Sequence, residues 1–295
     1  MSRGEAPGSR LSIVIPAKNE ANTLARMLPE IRRLHPEAEI VVTDDGSSDG
    51  TAEVVEANGG IAVRHPFSMG NGAAIKSGVK RATGDIVVFM DADGQHSPDD
   101  IGKLADHLQQ ENFRMVVGAR SRKGQSSAFR GLANAIYNRL ASLIVGHRIH
   151  DLTSGFRATY RKDFLRFLVL LPNGFSYPTT STMAYFRSAL PVGYLDIDVR
   201  KNQGRSHINP LKDGLRFLLI IIKVATLYSP LKVFVPLSAA FFATGACHYA
   251  YTFLTQGRFT NMSALLFSTS VLVFLIGLLS EQITTLIYST TSQDD

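Results

Sequence analysis

Two long stretches near the C-terminus carry no charge, and nothing else in the chain limits its fold as severely. Residues 233–257 and residues 259–280 contain no Asp, Glu, Lys or Arg. A helix rises about 1.5 Å per residue, so each run is long enough to cross a hydrocarbon core of about 30 Å. Only TQGRFTNM, centred on Arg258, separates the apolar cores, which implies a tight hairpin. The alternative, two buried helices of a soluble protein, fits poorly because buried runs of this length usually carry some charge.

Lys and Arg then set the expected orientation. Arg200, Lys201, Arg205, Lys212, Arg216, Lys223 and Lys232 precede the first span, whereas the hairpin loop holds Arg258 alone. The positive-inside rule puts the large N-terminal part and both termini in the cytoplasm, so the chain reads as a multi-pass protein of the cell membrane. Just before the hairpin, LKDGLRFLLIIIKVATLY (211–228) places Lys212, Arg216 and Lys223 within about 40° of one another on a helix. That pattern suits a helix lying in the membrane interface. An amphipathic helix packed on the soluble domain is the other reading. The expected organisation is a domain over 1–208, an interfacial helix over 209–230, spans over 231–257 and 263–288, a loop over 258–262 and a tail over 289–295.

The N-terminus, MSRGEAPGSR, has no apolar core of the kind a cleaved signal needs. The single cysteine, Cys247, rules out an internal disulfide and a zinc cluster. A net charge of +6 is mild. It suits an anionic membrane surface or a phosphorylated ligand, and nucleic acid is not the expected partner.

Residues 11 to about 120 alternate between short β-branched runs and helical patterns. LSIVIP, AEIVVT, IAVRH, GDIVVFM and FRMVVGAR read as strands. The segments 19–34, 70–83 and 97–110 read as helices, and a further helix starts within SSDGTAEVVEAN (47–58). Alternation of this kind argues for a mostly parallel sheet covered on both faces, with ligands at the carboxyl ends of the strands. Polar clusters fall at those ends: Asn19–Glu20, Asp44–Asp45, Asp91 with Asp93, and Arg120.

Each cluster has a plainer reading. DADGQ fails as a calcium loop because His96 and Gly102 stand where Gly and Glu are needed. GNGAAIKSG fails as a dinucleotide fingerprint because Ile75 stands at the third glycine, so Gly70 and Gly72 read as a tight helix start near a ligand. SPDD reads as a helix start, with Ser97 as N-cap, Pro98 at the first helical position, and Asp99 and Asp100 on the positive helix end. Ser48 or Asp49 is expected to cap the helix after DDGSSDG. None of this accounts for Asp91 and Asp93. Together with Gln95 they form a set of hard oxygen ligands suited to Mg2+ or Mn2+.

VIPAKNE (14–20), TDDGSSDGT (43–51), ATGDIVVFMDADGQH (82–96), GAR (118–120) and DLTSGFRA (151–158) follow one another in order. In this series the chain resembles the family 2 glycosyltransferases of GT-A fold. More narrowly, it resembles the group of dolichol-phosphate mannose synthase and the bacterial polyprenyl-phosphate glycosyltransferases. The resemblance implies a Rossmann-like α/β domain with helices on both faces of a mixed, mostly parallel sheet, followed by an interfacial helix and a two-helix transmembrane hairpin. It also implies site roles. Pro16, Lys18 and Glu20 belong to the nucleotide pocket, and Thr43 and Asp45 contact base and ribose. Asp91, Ala92 and Asp93 lie along the donor diphosphate. Asp91, Asp93 and Gln95 hold the metal. Arg120 stands at the reaction centre, facing both donor and acceptor, and Arg130 and Asn134 lie near the acceptor phosphate. Arg200, Lys201, Ser206 and His207, in RKNQGRSHIN, reach over the phosphates, with His207 standing where the related stretch carries a lysine.

The implied reaction moves a monosaccharide from a nucleotide-diphosphate sugar to a polyprenyl phosphate, undecaprenyl or dolichyl, with inversion and with a divalent metal. The product would be a lipid-linked sugar for glycan or glycoprotein assembly in the cell envelope. Asp93 and Arg120 carry the chemistry. Asp151 is either a base or an orienter of the acceptor site, or else a loop carboxylate paired with Arg157. The resemblance further implies copies assembled through the hairpin, as a tetramer in bacterial relatives. Rival readings are a processive polysaccharide synthase, which the absence of any Trp argues against, a silent nucleotide-sugar-binding scaffold, and a transferase acting on another membrane-bound acceptor.

Overall fold

The computed structural model describes residues 9–120, 138–139, 141–143, 145–174, 176–199, 226 and 228–292. It divides into two compact units, Met1–Ser142 with His147–Ile208, and Leu143–Gly146 with Asn209–Asp295.

The first unit is built on seven strands: β1 (Leu11–Ala17), β2 (Glu39–Asp44), β3 (Ile61–Arg64), β4 (Ile86–Phe89), β5 (Met115–Arg120), β6 (Arg157–Tyr160) and β7 (Val192–Ile197). Their order is β3-β2-β1-β4-β6-β5-β7. All neighbours run parallel except β6, which is antiparallel to both β4 and β5. The centre is apolar on both faces: Ile13, Val14, Ile15, Val87, Val88 and Phe89 are wholly buried, as strands covered on both sides must be.

Four helices follow the first strands: α1 (Ala21–Leu34), α2 (Thr51–Ala57), α3 (Asn71–Arg81) and α4 (Asp99–Gln110). Leu24, Leu28 and Ile31 of α1 and Ile101, Leu104 and Leu108 of α4 recur at helical spacing and pack on one face with Ile13, Ile15 and Val88. The other face receives α3, α5 (Arg161–Arg166) and α6 (Tyr177–Arg187). There the Phe89 ring meets Phe164 at 4.5 Å and Tyr177 at 6.5 Å.

Two helix starts differ from expectation. α4 begins at Asp99, with Pro98 in the cap position. The Ser97 hydroxyl does not cap it but donates to Asp99 at 3.1 Å. The first turn is tightened instead, Asp100 N–H donating to the Ser97 carbonyl and Ile101 N–H to Pro98. Gly70 and Gly72 do open α3, but they face protein. A Cβ on Gly70 would lie 2.4 Å from the Asn173 carbonyl oxygen, and one on Gly72 2.2 Å from that of Pro172. The glycines seat the loop that leads to α6.

The second unit contains α7 (Pro230–Gln256) and α8 (Asn261–Ser292), a hairpin of two helices long and apolar enough to cross a membrane. Small residues form the seam. The Ser238 and Ser270 hydroxyls each donate to the other's carbonyl at 2.9 Å, and a Cβ on Gly277 would meet Phe234 at 2.5 Å. Gly257, at φ 67°, ends α7 in the left-handed region. The interfacial helix expected over 209–230 lies almost wholly outside the described residues.

Candidate active site

The carboxyl edge of the sheet is assembled from loops bound to one another. Asn19 follows β1 and Ser47–Asp49 follow β2. Asn19 N–H donates to Ser47 Oγ at 2.8 Å, and Asn19 Oδ1 accepts from Ser48 N–H at 2.9 Å. Asp49 serves two helices at once. One oxygen accepts Thr51 N–H at the start of α2 and the other accepts Ala21 N–H at the start of α1, both at 3.1 Å. Carboxylates suit the positive ends of helices, and here one anion fixes two of them.

Asp45 organises the next loop. Its carboxylate accepts from His65 Nδ1 (2.7 Å), Ser68 Oγ (2.7 Å), Met69 N–H (2.8 Å) and Gly70 N–H (2.9 Å). Burial pushes this carboxyl up, but the four donors more than offset it and bring the pKa down to about 2. His65 passes the chain of bonds on, its Nε2 lying 2.9 Å from Ser77 Oγ.

Past β4, Asp91 and Asp93 flank Ala92 in a turn that Gly94 completes at φ 71°. Gln95 N–H donates to Asp93 Oδ1 at 3.1 Å. Burial first, and then repulsion from Asp93, push the Asp91 carboxyl up to about 6, against the pull of Arg157, Arg120 and a hydrogen bond from Asn71. Among the described residues no group of three or more His, Cys, Asp or Glu side chains gathers to hold a metal. Two carboxylates that repel each other at a ligand-binding edge nevertheless fit a hard divalent cation, one that keeps part of its shell for phosphate oxygens and water. Asp91, Asp93 and Gln95 are the residues at this edge that could hold one.

Arg120 closes β5 and reaches Asp151. Its Nε donates to Asp151 Oδ2 at 2.7 Å and its Nη2 to Oδ1 at 3.0 Å, a bidentate pair. Asp151 also accepts the N–H groups of Thr153 and Ser154. Burial pushes its carboxyl up, but Arg120 and those N–H groups hold it below the usual range. The pairing with Arg157 is thus corrected: Asp151 pairs with Arg120.

Arg157 is wholly buried. Its guanidinium donates to the carbonyls of Ser154 and Pro178 and to the hydroxyls of Ser181 and Thr182. The PTTST run on α6 is thus a shell of neutral acceptors for a buried cation, which among the described residues has no direct ion pair.

Residues 12–168 match the glycosyl transferase family 2 domain. The chain belongs to glycosyl transferase family 2. Residues 229–286 match the GtrB C-terminal hairpin. Glycosyltransferase AglJ of Haloferax volcanii is 29% identical over 292 residues, 93% of this chain and 93% of that protein. The undecaprenyl-phosphate 4-deoxy-4-formamido-L-arabinose transferase of Proteus mirabilis is 32% identical over 167 residues, 53% of this chain and only 50% of its own length. The chain therefore spans about half the length of that transferase. Among solved structures, glucosyl-3-phosphoglycerate synthase from Mycobacterium tuberculosis, in complex with Mn2+, UDP and glucosyl-3-phosphoglycerate, superposes with a TM-score of 0.58 at 22% identity. That match covers 74% of this chain and 80% of the synthase, and it establishes the GT-A fold.

In this family 2 glycosyltransferase, the residues expected at the site fall into distinct groups. Asp91, Asp93, Gln95, Arg120 and Asp151 come together at one edge, Asp91 and Arg120 near enough to shift each other's charge. Lys18 is exposed at the end of β1, and Glu20 is half-buried, accepting from the Thr23 hydroxyl at 2.8 Å. Pro16 and Ala92 are buried, and Thr43 is wholly buried beneath Gly78 of α3. The Thr43 side chain is buried against α3, away from the base contact expected of it. Asp45 lies at the edge with its carboxylate engaged by its own protein. Arg130, Asn134, Arg200, Lys201, Ser206 and His207 lie outside the described residues. Sequence reasoning missed Asn71, which bonds Asp91, and the role of Gly155 in DLTSGF, where a side chain would strike Asp91.

Proposed function

We propose that this transferase moves a monosaccharide from a nucleotide-diphosphate sugar to a polyprenyl phosphate at the cytoplasmic face of a membrane, with a divalent metal and with inversion. The observation that carries this reading is the meeting, at one sheet edge, of the repelling Asp91–Asp93 pair with Arg120 held by Asp151, in a chain that ends in an apolar hairpin. The relatives' names support it. One is an undecaprenyl-phosphate transferase, and the synthase of like fold was solved with Mn2+ and UDP.

Asp91, Asp93 and Gln95 would hold Mg2+ or Mn2+, which when bound offsets charge gathering on the leaving diphosphate. Arg120, oriented by Asp151, supplies a fixed cation for phosphate oxygens. A phosphate oxygen of the acceptor attacks the anomeric carbon, and the bond to the nucleoside diphosphate breaks on the opposite side. Because the acceptor is already an anion at neutral pH, no base is needed. Position and electrostatics carry the rate. Asp151, held below the usual range by Arg120, serves as orienter. The hairpin would hold the protein at the membrane that carries the acceptor, and the excess of Lys and Arg before Val233 supports a cytoplasmic domain.

The test is incubation of the purified full-length protein with a panel of UDP- and GDP-sugars and polyprenyl phosphate, with the lipid product weighed by mass spectrometry. A glycosylated lipid phosphate that forms with Mg2+ or Mn2+ and not with EDTA is expected. Transfer to another acceptor, or no transfer from any nucleotide sugar, would overturn the reading.

A further inference from the structure

Phe67 is 66% exposed, and no other Phe or Tyr among the described residues of the sheet unit is exposed. A single exposed aromatic needs no explanation by itself, but one carried on a firmly held loop at a ligand-binding edge offers a ready stacking face. The loop carrying Phe67 is not loose. His65, Ser68, Met69 and Gly70 are all tied to the Asp45 carboxylate, and His65 N–H donates to the Asp44 carbonyl at 2.9 Å. Gly46 packs so tightly beneath this loop that a Cβ would lie 2.7 Å from the Phe67 carbonyl carbon. The buried Asp45 carboxylate therefore holds in place the backbone that carries this one bare ring.

That place is the rim of the crevice. Phe67 rests on Gly46, the next residue, Ser47, bonds Asn19, and Asn19 follows Lys18 at the end of β1. The polar side chains of this rim can pair with the edge of a nucleobase, but none offers a flat apolar face. A base buries its π-face best against an aromatic, and a loop whose backbone is held beforehand loses little freedom on binding. We propose that Phe67 packs on the nucleobase of the donor and is a donor-binding residue of this enzyme. The proposal rests on the nucleotide-sugar reading above. With exposed Pro66 and Met69 beside it, the ring forms an apolar patch of a few residues, too small to bind another protein by itself.

The chain contains no tryptophan, so Phe67→Trp gives the full-length protein a single tryptophan, excited selectively over the tyrosines, at this position. Titration with UDP and with GDP in the presence of Mg2+ is expected to quench it saturably with one of them, while inorganic pyrophosphate does not. Phe67→Ala is expected to weaken that nucleotide about tenfold or more by calorimetry, the loss typical of a stacked base. Affinity for pyrophosphate should stay unchanged, and Phe67→Tyr should restore nucleotide binding. Equal nucleotide affinity for wild type and Phe67→Ala would overturn the proposal and leave the nucleotide-sugar reading standing. A wild type that binds neither nucleotide would overturn both. Quenching by vesicles of brominated phosphatidylcholine, with none by nucleotide, would assign the ring to the lipid surface and overturn the proposal.

Discussion

Gly155 sits against Asp91 so closely that a Cβ in its place would lie 2.9 Å from Asp91 Oδ2 and 3.3 Å from the Tyr177 hydroxyl. Two segments far apart in sequence, the turn after β4 and the run before β6, meet there without room for a methyl group. Gly155→Ala must move either the carboxylate or the backbone. We expect a stability loss of about 1–3 kcal/mol, the usual cost of overpacking. Transfer should fall further than stability explains, read as turnover at saturating donor in protein that is still folded by circular dichroism.

Asp93 is exposed and among the described residues accepts one hydrogen bond, from Gln95 N–H. Asp93→Ala should therefore leave the melting temperature almost unchanged, within about 0.5 kcal/mol. Transfer should drop by about a hundredfold or more, the scale on which single charge-stabilising groups act. The rise in melting temperature on adding Mn2+ should vanish with it. Full activity in this variant would remove the metal assignment.

Asp45 gives a prediction in pH. Its carboxyl is depressed to about 2, against 3.8 for an unperturbed group. A depressed acid stabilises the fold above its unfolded pKa, and that contribution is lost as pH falls through its folded value. At neutral pH it is about 2–3 kcal/mol. Melting temperatures should decline between about pH 4 and pH 2 in the wild type. Asp45→Asn should melt lower at pH 7 and lose much of that decline. Nucleotide affinity should weaken too, since the Phe67 loop loses its anchor.

Asp151→Asn separates a base from an orienter. Removing one charge from a largely buried bidentate pair should destabilise the protein by about 3 kcal/mol. If Asp151 only aims Arg120, turnover falls but its pH profile keeps its shape. Loss of an acidic limb in the variant would reinstate Asp151 as the base.

Much of this was legible in the sequence, and the reason is period. β1 to β5 and the helices between them follow from alternating runs whose polar ends all face one way, so the edge carrying Asp91, Asp93 and Arg120 could be located without coordinates. The uncharged runs announced α7 and α8 by length alone. What stayed hidden depends on pairing across long separations. RATY is too short and too polar to read as a strand, and only its place between β4 and β5 makes it one. Asp151 stands six residues from Arg157 and thirty-one from Arg120, so proximity in sequence favoured the wrong partner. The glycines of GNG read correctly as a tight helix start, but local sequence cannot reveal that Pro172 and Asn173, and not a ligand, lie above them. DDGSSDG could be seen as a turn, but not that Asp45 faces inward to hold His65.

The backward course of β6 has a further effect. Because it returns beside β5, the chain that leaves the sheet at Arg120 re-enters it at Arg157, next door and on the same edge. The strand ends that carry Asp91 and Arg120 are therefore spaced by β6 itself, which lies between β4 and β5, so the register of RATY sets how far apart the acidic and the basic side chain start.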